Sequence, residues 1–153
     1  MISRLTVVAA LVALGAPLSG ATSDPANPRT VGITVGDNMK YSVTEIVARR
    51  GERLRIVLTS TGTMPKMAMA HNVVVLAKGT DANAFIDASA LARDNGFIAQ
   101  TFMKNVLAAT QLAGNGETVE VSFDAPKTAG RYDFVCSFPG HYLAGMRGVL
   151  VVN

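Results

Sequence analysis

The sequence of 153 residues contains a single cysteine, two histidines and no tryptophan. One cysteine excludes an internal disulfide bridge. With only two histidines, the chain cannot hold two metal sites that each need several histidine ligands. Charged residues make up 16% of the chain, the net charge is +3, and the basic residues form no tract, which excludes the charge pattern of a nucleic-acid-binding protein. A hydrophobic content of 49% at this length indicates one globular domain.

The N-terminus has the pattern of a secretory signal. Arg4 precedes the apolar run Leu5–Leu14, and Ser19-Gly20-Ala21 forms a small-residue cleavage site. The run is shorter than the roughly 20 residues of a membrane-spanning helix. We therefore predict a signal peptide over residues 1–21 and export to the periplasm or extracellular space, with a retained membrane anchor as the alternative.

The rest of the chain predicts an all-β domain. Residues 22–30 are polar and predict a flexible lead-in, and residues 31–153 form the predicted domain. Val119, Val121 and Phe123 alternate with polar residues in the period of a half-buried strand. Seven or eight short strands with turn residues between them favour a β-sandwich. The predicted strands are Val31–Val35, Tyr41–Ala48, Leu54–Thr59, Asn72–Ala77, Thr118–Phe123, Tyr132–Cys136 and Gly148–Val152.

One stretch interrupts the strand pattern. Thr80–Gly114 is rich in alanine, leucine, aspartate and asparagine. Either Thr80 or Asp81 can cap a helix that runs to about Arg93. We predict a partly helical insertion between two strands, which covers a sheet edge or one end of the core.

The lone cysteine lies in a segment with several potential metal ligands. Cys136 ends a predicted strand, a Pro-Gly turn follows, and His141 and Met146 come before the next strand. His71, the only other histidine, opens the most apolar predicted strand, which can pass beside the end of the Cys136 strand. The sequence therefore predicts that one thiol, two imidazoles and one thioether converge. An exported thiol also needs an occupant that protects it from oxidation.

The donor types favour copper. One thiolate and two imidazoles with a distant thioether form the ligand set of blue-copper sites. Zinc rarely recruits methionine, its structural sites usually contain more cysteines, and a hydrolytic zinc site needs an open position and a general base. No carboxylate lies near His71 or in the loop after Cys136. The same absence disfavours a cysteine nucleophile activated by His141.

The segment CSFPGHYLAGMRGVLVV, with AHNVVVL upstream, resembles the cupredoxins, in particular the azurin and auracyanin group. The likeness extends from Val31 to Asn153. It implies a Greek-key β-sandwich with one copper ion per chain at one end. It also implies an electron carrier rather than an enzyme, monomeric, with protein redox partners such as a cytochrome or a terminal reductase or oxidase.

By position, the resemblance makes His71, Cys136 and His141 the three strong ligands and Met146 the weak axial one. In azurins three residues separate the last histidine from the methionine, whereas here four do, as in auracyanins and plastocyanins. This departure disfavours an axial contact from the carbonyl of Ala70, which azurins have.

The resemblance also assigns supporting roles. Asn72 would tie the His71 strand to the cysteine loop through Ser137. The amides of Asn72 and Phe138 would donate to the Cys136 sulfur and tune the metal. The sequence lacks a tryptophan, and Val73 stands where azurins place an aromatic residue.

Two features bear on how the protein would be used. An apolar surface around His141 would allow brief docking of a redox partner; its candidate members are Met39, Met64, Pro65, Phe138, Pro139, Tyr142 and Leu143. The main competing function is a copper chaperone or copper-handling protein that binds Cu(I) with help from Met64, Met67 and Met69. A copper enzyme would need further histidines, and a metal-free structural domain would leave the CSFPGH segment unexplained.

Overall fold

A computed structural model describes residues 27–153, so the predicted signal peptide and most of the lead-in lie outside the described residues. The described chain forms eight strands and one α-helix, α1 (Ala82–Ser89). Two 3₁₀ turns follow the helix, at Arg93–Asn95 and Gln100–Asn105. Within this part of the chain no helix has the length and apolar character to span a membrane. The strands are β1 (Arg29–Val35), β2 (Glu45–Ala48), β3 (Arg53–Ser60), β4 (Val74–Leu76), β5 (Val106–Ala109), β6 (Thr118–Asp124), β7 (Gly130–Val135) and β8 (Arg147–Val152).

The strands form two sheets, which confirms the predicted all-β sandwich. One sheet has the order β1-β3-β6 and the other the order β2-β8-β7-β4-β5. β1 pairs with β3 and β2 with β8 in parallel, and the remaining pairs are antiparallel. β7 and β8 are neighbours, so the segment between them is a loop at one end of the second sheet.

Alternating side chains fill the space between the sheets. β3 alternates half-exposed and buried residues along its whole length, and Leu54, Ile56 and Leu58 are fully buried. Each such side chain contributes about 1.5–3 kcal/mol through burial. Cys136 and Met146 belong to the same buried cluster. The metal-ligand candidates are therefore an extension of the hydrophobic core.

The helix of the insertion covers a face of the larger sheet, and its strand β5 pairs along β4, so the predicted cover of a sheet edge is correct in part. The Asp81 side chain caps α1 by accepting from the amides of Asn83 and Ala84. Helix residues pack on β4 and β7 in what we call the outer cluster, composed of Val74, Leu76, Ala82, Phe85, Ile86, Val135 and Tyr142. Because α1 screens β4 on this side, all three β4 residues are buried.

Several predicted boundaries were wrong for local reasons. α1 ends at Ser89 rather than near Arg93, because the buried Ser89 hydroxyl accepts from the amide of Ala99 as the chain turns back. β5 lies within the stretch predicted to be partly helical; with four residues and little alternation it carries a weak strand pattern. β1 begins at Arg29, within the predicted lead-in, where its side chain pairs with Glu52.

Two other predicted strands are shorter than expected. The strand predicted from Tyr41 is regular only over Glu45–Ala48, and Tyr41 itself forms an isolated bridge to Val35. The strand predicted from Asn72 begins at Val74. The two residues before Val73 make other contacts, since His71 forms an isolated bridge to Ala113 and the Asn72 side chain bonds to Ser137.

Gly148 allows β8 to pass close to the ring of Phe134. The two residues are opposite each other in the β7–β8 pair. A Cβ at Gly148 would lie 2.2 Å from Phe134 Cζ and 2.6 Å from the carbonyl oxygen of Thr44. We expect Gly148→Ala to lower the free energy of unfolding by about 1–3 kcal/mol through overpacking, measured by urea denaturation of metal-free protein. Gly32→Ala is the matched control, because a Cβ there meets nothing within 4 Å; equal effects at both positions would contradict the overpacking argument.

Candidate metal centre

Cys136 lies at the end of β7, beneath the loop that connects to β8. Its side chain is fully buried, and its amide donates to the carbonyl of Met146 over 3.1 Å. Burial raises the pKa of the thiol to about 12, and hydrogen bonds from the backbone amides of Asn72 and Phe138 oppose part of that rise. The Asn72 and Phe138 amides thus act on the thiol pKa in the direction expected of the predicted donors. At neutral pH the thiol alone stays protonated, and a bound metal cation is what would hold it as thiolate.

The loop after Cys136 is a series of tight turns that places His141 beside the thiol. The His141 amide donates to the carbonyl of Phe138, and the amide of Met146 donates to the carbonyl of His141 over 3.0 Å. Gly140 and Gly145 have φ of 84° and 91°, a region that favours glycine. As a result His141 Nδ1 lies 3.5 Å from Cys136 Sγ.

His71 reaches the same place from the segment before β4, which is paired with β7 in the same sheet. An isolated bridge fixes its backbone, because its amide donates to the carbonyl of Ala113 and its carbonyl accepts from the amide of Ala113. The His71 and His141 rings are 4.9 Å apart between centroids. Ligand atoms of His71, Cys136 and His141 all lie within 4.8 Å of one another. The structure thus brings together three of the four side chains that the sequence predicted to converge, His71, Cys136 and His141.

The His71 ring is buried, and no described residue forms a hydrogen bond with its nitrogens. The residue is 0% exposed. An unpaired buried polar group costs about 1–3 kcal/mol. Burial also lowers the pKa of His71, and burial together with the charge of His71 lowers the pKa of His141 to about 4. Both rings are therefore neutral at pH 7, which is the form that binds metals.

These residues fit a copper ion on chemical grounds. A buried thiol and two neutral imidazoles form a donor set whose softness suits copper. Met146 is 0% exposed and lies in the same buried cluster as Cys136. Its backbone is hydrogen-bonded to both Cys136 and His141, so its thioether is held at this end of the core.

Asn72 links the two chain segments that carry the donors. Its Oδ1 accepts from the amide of Ser137 over 2.9 Å, and its Nδ2 donates to the Ser137 hydroxyl over 2.8 Å and to the carbonyl of Gly96. The predicted Asn72–Ser137 contact is confirmed. The Tyr41 hydroxyl donates to the backbone carbonyl of Asn72. The donor geometry is therefore fixed by protein contacts before any metal binds.

The surface above His141 agrees in part with the predicted apolar patch. Leu143 is 81% and Met64 40% exposed, and Pro65 and Pro139 are also exposed. Phe138 is half-buried and its ring lies 4.8 Å from that of His141, which is itself 3% exposed. The prediction for Tyr142 was wrong, because its ring is buried in the outer cluster with Arg147 above it.

Beside Phe138 is a cavity that sequence reasoning missed. It has a volume of about 180 Å³, and Phe97 lies in its wall with its ring 5.1 Å from that of Phe138. The other lining residues are Lys66, Met67, Ala70, Arg93 and Leu112. Phe97 comes from the insertion, where φ is 59°, and nothing in a local sequence pattern predicts that it folds back over the cysteine loop.

We expect Asn72→Ala to destabilise the metal-free protein by about 2–4 kcal/mol, because the Ser137 amide and the Gly96 carbonyl lose their partner at a buried position. Urea denaturation measures this directly. Asn115→Ala is the control, since Asn115 is exposed and its side chain makes a single long contact with the Thr63 carbonyl. A loss no larger than that of the control would show that Asn72 does not hold the two segments together.

Comparison with known proteins agrees with this geometry. Residues 29–153 match the family described as copper binding proteins, plastocyanin/azurin family. Azurin of Alcaligenes faecalis is 36% identical over 115 residues, which cover 73% of this chain and 89% of that protein. Outer membrane protein H.8 of Neisseria meningitidis serogroup B is 36% identical over 107 residues, which cover 69% of this chain but 57% of that longer protein.

Similarity to solved structures extends over nearly the whole described chain. Auracyanin A of Chloroflexus aurantiacus, a "blue" copper protein, has a TM-score of 0.73 and 31% identity, covering 83% of this chain and 100% of that one. The match therefore includes both sheets and the loop that carries the candidate ligands. The chain belongs to the plastocyanin/azurin family of copper-binding proteins, and within that family it is similar to azurins and auracyanins.

Proposed function

We propose that this protein is an exported electron carrier that shuttles single electrons between redox partners through one type 1 copper site. His71, Cys136 and His141 are the three strong ligands, and Met146 is the weak axial ligand. The observation that carries the proposal is the buried His71 ring with two unpartnered nitrogens, 4.9 Å from the His141 ring and beside the buried Cys136 thiol. When bound, copper supplies a one-electron couple at this position.

The protein holds the candidate ligand side chains in fixed positions. Asn72 fixes the His71 segment to the Cys136 loop, and the Met146 backbone is bonded to both Cys136 and His141. Copper(I) and copper(II) prefer different geometries, so donors that cannot move keep the rearrangement between the two states small. Amide donors to the Cys136 sulfur further tune the site. The three strong-ligand candidates are buried, with His71 and Cys136 0% and His141 3% exposed, which supports a carrier role.

Electrons would enter and leave through the His141 side of the site. The His141 ring contacts the half-buried Phe138 ring, and Leu143, two residues further along the same loop, is 81% exposed. A weakly polar surface of this kind suits short-lived docking of a protein redox partner. The proposed partners are redox proteins, with no nucleic acid and no small-molecule substrate. The carrier would act as a monomer.

Export and cleavage of residues 1–21 fit this function. A single buried cysteine that holds a metal is protected in an oxidising compartment such as the periplasm. The similarity to outer membrane protein H.8 over its shared region supports an extracytoplasmic location.

The copper-handling alternative has weaker support. Met67 is 79% exposed and Met64 is 40% exposed. Met69 is half-buried, and its backbone amide donates to the carbonyl of Pro65. These side chains belong to the surface around the site, and the buried set offers a single metal position. One copper per chain is therefore expected, and additional exchangeable Cu(I) that is lost in Met67→Leu would favour copper handling.

The visible spectrum of the Cu(II)-loaded protein tests the ligand assignment. A copper–thiolate bond gives an intense charge-transfer band, and we expect this band in the wild type and its loss in Cys136→Ser, because the hydroxyl that replaces the thiol cannot supply it. Far-ultraviolet circular dichroism of the metal-free variant controls for folding. Copper binding to a folded wild type without the band would remove Cys136 from the ligand set.

Electron self-exchange between oxidised and reduced copies tests the docking surface without a known partner. We expect Leu143→Glu to slow self-exchange about tenfold or more, because two copies must then bring like charges together, while the visible band is unchanged. Leu91→Glu is the matched control, since Leu91 is 92% exposed in the insertion. An unchanged rate in Leu143→Glu would place the exchange surface elsewhere.

A further inference from the structure

The loop between the last two ligand candidates is held by its own turns, with one exposed acceptor left over. The amides of Ala144, Gly145 and Met146 donate to the carbonyls of Gly140, Tyr142 and His141. Among the described residues, no backbone amide donates to the carbonyl of Ala144. That carbonyl accepts instead from Lys40 Nζ, which comes from a part of the chain 104 positions away.

Lys40 belongs to a short segment that is anchored on both sides of the site. We call residues 36–41 the strap. The amide of Met39 donates to Gly36 and the amide of Lys40 to the Asn38 side chain, with Met39 at φ 54°. A positive φ at a non-glycine residue is uncommon and costs conformational energy. This turn directs the Met39 side chain onto the core cluster that includes Cys136 and Met146.

The end of the strap contacts the other ligand segment. Tyr41 is buried, and its hydroxyl donates to the backbone carbonyl of Asn72, next to His71. The strap therefore contacts the His71 segment through Tyr41 and the His141–Met146 loop through Lys40. Gly145 provides a second sign that Lys40 belongs at this position, since a Cβ there would lie 2.9 Å from Lys40 Nζ.

We propose that Lys40 is a positioning residue for the metal site. Its ammonium group tethers the carbonyl of Ala144 and so braces the loop that orients His141 and Met146. The inference rests on the proposed function for its effect on copper, but the tether itself is a property of the metal-free chain. A charge-assisted hydrogen bond is about twice as strong as a neutral one, and here it supplies the loop tip with a contact from outside the loop.

Amide hydrogen exchange on metal-free protein tests the tether. We expect the amides of Gly145 and Met146 to exchange about threefold faster or more in Lys40→Met, which keeps the aliphatic stem and removes the donor. Lys127→Met is the matched control, because it removes the same charge from the exposed turn before β7, at the opposite end of that strand from Cys136. Unchanged exchange in Lys40→Met, or equal acceleration across the whole domain, would overturn the proposal.

Copper release to a chelator provides a second readout. We expect Lys40→Met to release copper several-fold faster than the wild type and Lys127→Met to match the wild type. Equal release from Lys40→Met and the wild type would overturn the bracing role. If the wild type binds no copper, the proposed function fails, while the exchange experiment still decides whether Lys40 holds the loop.

Discussion

A buried thiol beside two buried imidazoles is the constraint on which the rest of this structure depends. Cys136 and His71 are fully buried and His141 nearly so. Burial keeps the thiol protonated and the rings neutral. Within residues 27–153, neither His71 ring nitrogen has a hydrogen-bond partner. In a low-dielectric interior, unpaired polar groups are costly. A single soft cation relieves part of these costs, because it would bind the thiolate and one nitrogen of each ring.

Such a site needs its donors in place before the cation arrives. Asn72 provides this with one side chain, since its amide group donates to and accepts from Ser137 while its backbone carbonyl accepts from Tyr41. The bridge between His71 and Ala113 fixes the other end of the same segment. Hydrogen bonds thus join the segment that contains Tyr41 to the Asn72 segment, and the Asn72 segment to the loop that contains Ser137. Donors held in this way would move little between the two copper oxidation states, which suits fast electron transfer.

The sequence predicted the site better than it predicted the segments around it. His71, Cys136 and His141 could be found because their donor chemistry and loop spacing are local features, and the Asn72–Ser137 contact followed from the family resemblance. The end of α1 and the existence of β5 could not be predicted, because they depend on tertiary contacts of Ser89 and on pairing with β4. Tyr142 looked like a surface residue, yet α1 provides the buried space that its ring occupies.

The long ligand loop is compatible with a fixed site because its two ends are joined. The amide of Cys136 donates to the carbonyl of Met146, which continues the β7–β8 pairing past Val135 and Arg147. The backbone of Met146 is therefore set by the sheet, and an additional residue between His141 and Met146 is accommodated at the loop tip. That tip is where Leu143 is exposed and where Lys40 binds the carbonyl of Ala144. Loop length can thus change the surface offered to a partner while the sheet keeps Met146 in place, and a contact such as that of Lys40 compensates for the longer span.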